Sequence, residues 1–264
     1  MKYMPICSKI ISLSWLENVI DSIYFLTWLL LRFLLKGYRL ASNYNISKGR
    51  CAVSEICALL HHLFGDLERF AFPFTVDQIP RNGIYILFEE GEHAHDQDRI
   101  VRVGTHTGDS QLRSRLQQHF VKENKDRSIF RKNIGRAILN RTGDPFLEQW
   151  NWDLTTRKAK DTRGHLVDAR KQKTVERQVT AYIQSRFSFV AFKVADKAER
   201  LSLEAKIIST VSWCDNCYPS SQWLGLHSPK AKIRQSGLWL VNQLYKEPLS
   251  EGEFTRLENL VAAA

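Results

Sequence analysis

Arg115 and His119 stand four residues apart in the run "LRSRLQQHF", where Leu112, Leu116 and Phe120 recur at i, i+4 and i+8. That spacing predicts a helix over Gln111–Val121 with the arginine and histidine on one face, beside the apolar stripe. A guanidinium can clamp a phosphate and an imidazole can carry a proton. A lone surface arginine, by contrast, is usually only solvated. Further along, "ERLSLEAKII" puts Leu201, Glu204, Ile208 and Val211 on one stripe of a helix over Lys197–Trp213. Glu204 is thus an acid within an apolar face. A buried carboxylate is costly unless paired or bound to metal. It reads either as a snorkelling or ion-paired structural acid or as a metal ligand. One carboxylate with water and a phosphate is how Mg²⁺ is usually held.

Two strands must precede these helices. "NGIYILF" (Asn82–Phe88) alternates Ile84, Ile86 and Phe88 with Tyr85 and Leu87. "RIVRVGTH" (Arg99–His106) sets Val101 and Val103 against Arg102. Tyr85 and Arg102 then turn away from the Ile and Val sets, and both could face one pocket. A free tyrosine, with a pKa of about 10, is a poor base at neutral pH. A neighbouring cation or metal would favour its ionised form. Arg102 is either a solvated strand residue or the source of that charge.

Around this centre, Cys51–Phe70 reads as an amphipathic helix and "FAFPFTVDQIPRNG" as a connector punctuated by Pro73 and Pro80. Glu89–Asp98 reads as a polar hairpin loop and Ser128–Asn140 as a second helix. Gly143–Lys171 is basic and poorly periodic, a loop or small excursion. Thr174–Arg186 is helical, and "FSFVAFKV" (Phe187–Val194) is a strand. There is no internal repeat.

A chain of 264 residues with 38 Lys and Arg against 28 Asp and Glu carries a net charge of +10. That implies an anionic partner, nucleic acid or an acidic membrane surface. The charge is uneven: Arg99–Arg141 holds 11 basic against 3 acidic residues, and Arg157–Arg177 holds 8 against 3. The five cysteines are too few and too scattered for a disulfide framework, which fits a reducing, cytoplasmic setting. Cys214-x-x-Cys217 has the spacing of half a zinc site, but no second pair exists and the nearest following histidine is His227. Two thiols near a helix end is the preferred reading. Residues 22–35, "SIYFLTWLLLRFLL", are apolar but shorter than the roughly 20 residues of a membrane span, and Arg32 lies within them. Lys36 and Arg39 follow, as they would follow an anchor. Membrane contact through residues 22–35 is weighed but not favoured.

Taken in order, "NGIYILF", "VRVGTH", "LRSRLQQHF" and "ERLSLEAKII" resemble the GIY-YIG nuclease family. The resemblance implies an α+β fold, a small three-stranded antiparallel sheet flanked by helices, over residues 79–213. Around it stand a possible anchor in the apolar N-terminal extension 1–50, a helical lead-in 51–78, a basic insertion around 143–173 and a C-terminal helical extension 214–264. It implies a metal-dependent DNA endonuclease that hydrolyses phosphodiester bonds with Mg²⁺ or Mn²⁺. Tyr85 matches the tyrosine of the GIY element, Gly104 the glycine of the YIG element and Arg115 the helical arginine. His119 matches a histidine or tyrosine of some members, and Glu204 matches the metal-binding glutamate. Arg102 stands where a YIG tyrosine precedes Val103-Gly104, and joins the candidate catalytic set. His106, Arg127, Arg131, Lys132 and Arg136 are the candidate contacts to double-stranded DNA. Some members add an asparagine beyond the glutamate, for which Asn216 and Asn242 are the choices. A single site of this kind cuts one strand at a time, so double-strand cleavage calls for a homodimer or a second event. The competing expectation is a non-catalytic nucleic-acid-binding protein on the same fold, tethered to a membrane or not.

The basic segment gives one expectation directly. On duplex DNA, log K should fall with log salt at about −0.9 per phosphate neutralised. Affinity insensitive to salt would remove Arg99–Arg141 as the DNA face.

Overall fold

A computed structural model describes residues 43–263, with side chains from residue 53 onward. The 22–35 run lies outside them. The chain divides into two units, Met1–Gly49 and Arg50–Ala264, and the sheet and both apolar cores belong to the second. No helix among the described residues is long and apolar enough to cross a membrane.

The fold is α+β. Its antiparallel sheet is built from β1 (Phe70–Ala71), β2 (Gly83–Ala94), β3 (Gln97–Gly104) and β4 (Phe187–Lys193), in the order β1-β4-β2-β3. The three expected strands are joined by a fourth. β1 pairs Phe70 with Phe189 and Ala71 with Ser188. Two residues are too few to show the alternation by which a strand is read. The expected polar loop at Glu89–Asp98 is also corrected. β2 and β3 continue to a two-residue turn at His95 and Asp96, both at positive φ (53° and 60°), the backbone a tight hairpin requires. Glu89 and Glu92, which made the segment look solvated, are buried.

The central strand β2 is covered on both faces. Ile84, Ile86 and Phe88 join one core with Cys57, Leu60 and Phe64 of α1 (Asn43–Gly65). Leu203, Ile207 and Ile208 of α7 (Lys197–Trp213) and Phe254 and Leu257 of α9 (Glu251–Ala262) complete it. Tyr85 and Leu87 join a second core with Leu116 and Phe120 of α2 (Leu112–Phe120) and Phe130 and Ile134 of α3 (Ile129–Arg141). Val175, Val179 and Ile183 of α6 (Ala169–Arg186) close that side. Each such apolar side chain contributes about 1.5–3 kcal/mol on burial. Between them run the short α4 (Leu147–Asn151), α5 (Arg157–Arg163) and α8 (Ala231–Ser236). The basic stretch expected to be irregular is therefore partly helical, and it carries Trp150, fully buried against α3. A Cβ at Gly135 would overlap that indole.

Local signals fix the helix starts. Ser128 accepts from the Arg131 amide at 3.2 Å and Asp196 from the Glu199 amide at 2.7 Å, each cap worth about 1 kcal/mol. A register shift between Leu87 and Phe88 leaves Leu87 opposite Arg102 and Phe88 opposite Ile100. Simple alternation placed Val101 with Val103. The bulge instead sends Val101 into the second core and Val103 into the first.

α3 and α6 are joined by an ion pair that is out of water. Arg131 is fully buried, and its Nε and Nη2 donate to Glu176 Oε2 at 3.2 and 2.8 Å. Its other donors reach the His119 carbonyl at 3.1 Å and Thr180 Oγ1 at 2.7 Å. Arg131→Ala should therefore destabilise the protein by about 3–5 kcal/mol, because it leaves Glu176 buried without its partner. The check is a urea unfolding series, in which a solvated arginine would move stability by less than about 0.5 kcal/mol.

Candidate active site

The site begins with a contact between neighbouring strands. Tyr85 and Gly104 are opposite residues of the β2–β3 ladder, and a Cβ at Gly104 would overlap the phenol ring. The glycine leaves the room in which that ring lies. Tyr85 is fully buried, and its Oη is 2.8 Å from His119 Nε2. His119 reaches it because Leu112, Leu116, His119 and Phe120 form the inward stripe of α2.

Hydrogen bonds at both ends orient this chain of groups. Arg102 Nε donates to Tyr85 Oη at 3.4 Å, so the phenol proton points to His119 Nε2. His119 Nδ1 then donates to Ser128 Oγ at 2.7 Å, which also accepts from the Arg131 amide. The imidazole is neutral in this arrangement. Burial holds its pKa well below the ordinary value, and the charges of Arg115, Arg102 and Arg131 lower it further.

Arg102 is buried on the Tyr85 face. It donates to the Trp239 carbonyl at 2.6 Å and lies over the Phe130 ring at 5.3 Å. Arg115 is half-buried and donates to Gln118 Oε1 at 3.3 Å and to the Arg127 carbonyl at 3.1 Å. Glu204, on α7, is half-buried. Burial raises its pKa, while Arg102, the Thr105 amide and Arg115 act the other way. Beside these groups opens a cleft of about 260 Å³, lined by Thr105, His106, Gln111, Ser114, Arg115 and Gln118.

Tyr85, Arg102, Arg115, His119 and Glu204 are thus neighbours although they come from four elements. The expected DNA contacts divide. His106 lines the cleft but is mostly buried, accepting from the Gly83 amide at 3.3 Å and donating to the Gly108 carbonyl at 2.6 Å. Arg127 is exposed. Arg131, Lys132 and Arg136 are corrected as surface contacts, because their donors are used inside the protein. Arg131 is in the Glu176 pair. Lys132 Nζ donates to the Trp152 carbonyl at 2.9 Å. Arg136 donates to Asn151 and Asn133 at 2.6 and 2.8 Å. Of the two asparagines, Asn216 donates its backbone N–H to Cys214 Sγ, and Asn242 lines a separate cleft with Lys232 and Lys246. Ser128, Thr105 and the Trp239 carbonyl were not visible as site groups. Ser128 is in the structure the N-cap of α3.

The fold is an α+β domain whose sheet and helices bring these groups together. The chain belongs to the GIY-YIG domain family, which it matches over residues 52–264. Members of that family are generally nucleases and generally use divalent metal ions. No curated protein and no solved structure matches the chain.

The state of His119 can be checked through stability. Its native pKa is lowered, so below about pH 6.5 the unfolded chain takes up the proton first. Stability should be full above about pH 6.5 and fall as pH drops, by up to about 1.4 kcal/mol per pH unit for this group. His106, also lowered by burial, adds to the same window. Denaturant unfolding between pH 7 and 5 should show a slope smaller by about one proton in His119→Gln than in wild type.

Proposed function

We propose that this protein is a metal-dependent DNA endonuclease that hydrolyses phosphodiester bonds with Mg²⁺ or Mn²⁺. The observation that carries this reading is the convergence of Tyr85, Arg102, Arg115, His119 and Glu204 beside one cleft. Glu204 fits a hard cation: it is an oxygen donor beside Thr105 of the cleft wall, and its burial is only partly offset by its neighbours. Bound there, the ion would neutralise the leaving oxygen and polarise water.

The remaining roles follow from the side chains. Arg115 has donors at the cleft and can clamp the scissile phosphate as charge builds on it. Tyr85 can accept a proton from water only by passing its own to His119 Nε2. The arginines around His119 oppose the imidazolium that would result. An anionic phosphate beside Arg115 would offset that opposition, so proton transfer should depend on bound substrate. Arg102 fixes the direction of the phenol proton and adds positive charge where relatives carry a second phenol.

A second reading is kept because Tyr85 is fully buried with its hydroxyl already engaged. On that reading Tyr85 and His119 are satisfied core groups, and the protein binds nucleic acid without cutting it.

Plasmid nicking with Mg²⁺, Mn²⁺ or EDTA separates the two. Cleavage should require the metal, and Glu204→Ala should abolish it while leaving DNA binding largely intact. Tyr85→Phe should reduce single-turnover cleavage on the order of 10²–10³-fold, and Arg102→Lys by less. Near-wild-type cleavage by Glu204→Ala would sink the metal assignment. DNA binding with no nicking in either metal would establish the second reading.

A further inference from the structure

Cys214 and Cys217, expected to be two thiols near a helix end, have further donors beside them. Cys57 approaches from α1 and His95 from the β2–β3 turn. One ligand atom from each of the four residues lies within 4.8 Å of every other. Cys57 Sγ is 3.4 Å from Cys217 Sγ, and His95 Nε2 is 3.3 Å from Cys214 Sγ. Zinc bonds of about 2.3 Å to sulfur and 2.0–2.1 Å to nitrogen set neighbouring tetrahedral ligands about 3.6–3.8 Å apart. The observed separations are close to those edges. They are far longer than the S–S bond of about 2.05 Å in a disulfide.

We propose that Cys57, His95, Cys214 and Cys217 bind one structural Zn²⁺ per chain.

The donor set selects the metal. Three soft sulfurs and an imidazole suit zinc and do not suit Mg²⁺ or Ca²⁺, which take oxygen. Four protein ligands fill a tetrahedron and leave no position for substrate, the mark of a structural site. The three cysteines are buried, while His95 is half-buried and gives the ion a way in. The surroundings support the ligands. The Asn216 amide donates to Cys214 Sγ at 3.4 Å, and Ser54 Oγ lies 3.9 Å from the same sulfur. His61 is engaged otherwise: Nδ1 donates to the Cys57 carbonyl at 2.8 Å and Nε2 accepts from the Ile100 amide at 3.2 Å. It therefore braces the cysteine and is not a fifth ligand. The ion would sit at the turn end of the β2–β3 ladder, opposite the end that carries Tyr85 and Gly104. It would tie α1 and the hairpin to the segment after α7.

The test uses the full chain purified without chelator. Elemental analysis should find one zinc per chain. Cobalt exchange should give sulfur-to-cobalt charge-transfer absorption and tetrahedral d–d bands. Chelation should lower the unfolding midpoint by roughly 10 °C. Cys217→Ser should lose the metal. Should that variant not fold, His95→Ala, at the turn, should lower zinc content while His95→Cys restores it. Three results would each overturn the proposal: reduced, zinc-free protein whose midpoint ignores added zinc and chelator; full zinc content in both His95→Ala and Cys217→Ser; or a Cys57–Cys217 disulfide found by alkylation and mass spectrometry of the native protein.

Discussion

The structure depends on one constraint: over Gly83–Glu89, and again at Glu92, β2 is out of water, yet it carries polar side chains there. Tyr85, Glu89 and Glu92 all lie on it and all are buried. A buried polar group without a partner costs about 1–3 kcal/mol, and a charge costs more. The rest of the fold supplies the partners. Glu89 accepts from the indole N–H groups of Trp223 and Trp239, each at 2.8 Å, and from the Tyr182 hydroxyl. Burial pushes its pKa up and those three donors pull it back. Glu92 accepts from Arg99 Nε and Nη2 at 3.0 and 2.6 Å and from the Ser220 amide at 3.0 Å. The segment after α7 is thus bonded to the sheet through β2's own acids.

That attachment reaches the candidate site. Arg99 donates to the Gly237 carbonyl and Arg102 to the Trp239 carbonyl, each at 2.6 Å, while the Trp239 amide donates to the Val101 carbonyl at 2.8 Å. A stretch far beyond the β2–β3 hairpin in sequence therefore sets where the Arg102 guanidinium lies, and through it the direction of the Tyr85 hydroxyl. On the other side, Arg131 holds His119 in place by binding its carbonyl and the Glu176 carboxylate. The Tyr85 hydroxyl is held between Arg102 and His119, the first fixed by the Trp239 carbonyl and the second by Arg131. Such preorganisation keeps polar groups aimed without further rearrangement.

The sequence revealed what has a period or a type. α7 ran as expected over Lys197–Trp213 because its stripe is regular and Asp196 caps it. The faces on which Tyr85, Arg115, His119 and Glu204 lie were legible because each sits at a fixed step from an apolar residue; their proposed roles came from the family resemblance. What failed was everything decided by distant partners. Glu89 and Glu92 suggested a loop because their partners, Trp223, Trp239, Arg99 and Ser220, cannot be inferred from neighbouring positions. Arg131 and Lys132 looked like a charged surface because Glu176 and the Trp152 carbonyl were not yet beside them. The bulge at Val101 moves one side chain across the sheet without any glycine or proline to announce it. Cys57 and His95 are too far from Cys214 in sequence for any spacing rule to join them.

The same distinction redraws the charge. Arg99, Arg102, Lys125, Arg131, Lys132 and Arg136 are all buried, six of the 11 basic residues of Arg99–Arg141, so most of that segment's positive charge is kept from solvent. Within Arg99–Arg141 it is directed at carbonyls, carboxylates and side-chain amides. The second basic stretch behaves differently. Arg157, Lys158, Lys160, Arg163, Arg170, Lys173 and Arg177 are exposed on α5 and α6, while Glu176, one of the three acids there, is buried. Screening by salt acts on exposed charges and much less on buried ones. Of the two basic stretches, Arg157–Arg177 therefore offers a polyanion the larger share of exposed charge, with Lys122, Arg127 and Arg141 added from the first. The buried arginines act at contact distance instead: Arg102 on Tyr85, Arg131 on His119 and Glu176, and Arg99 on Glu92.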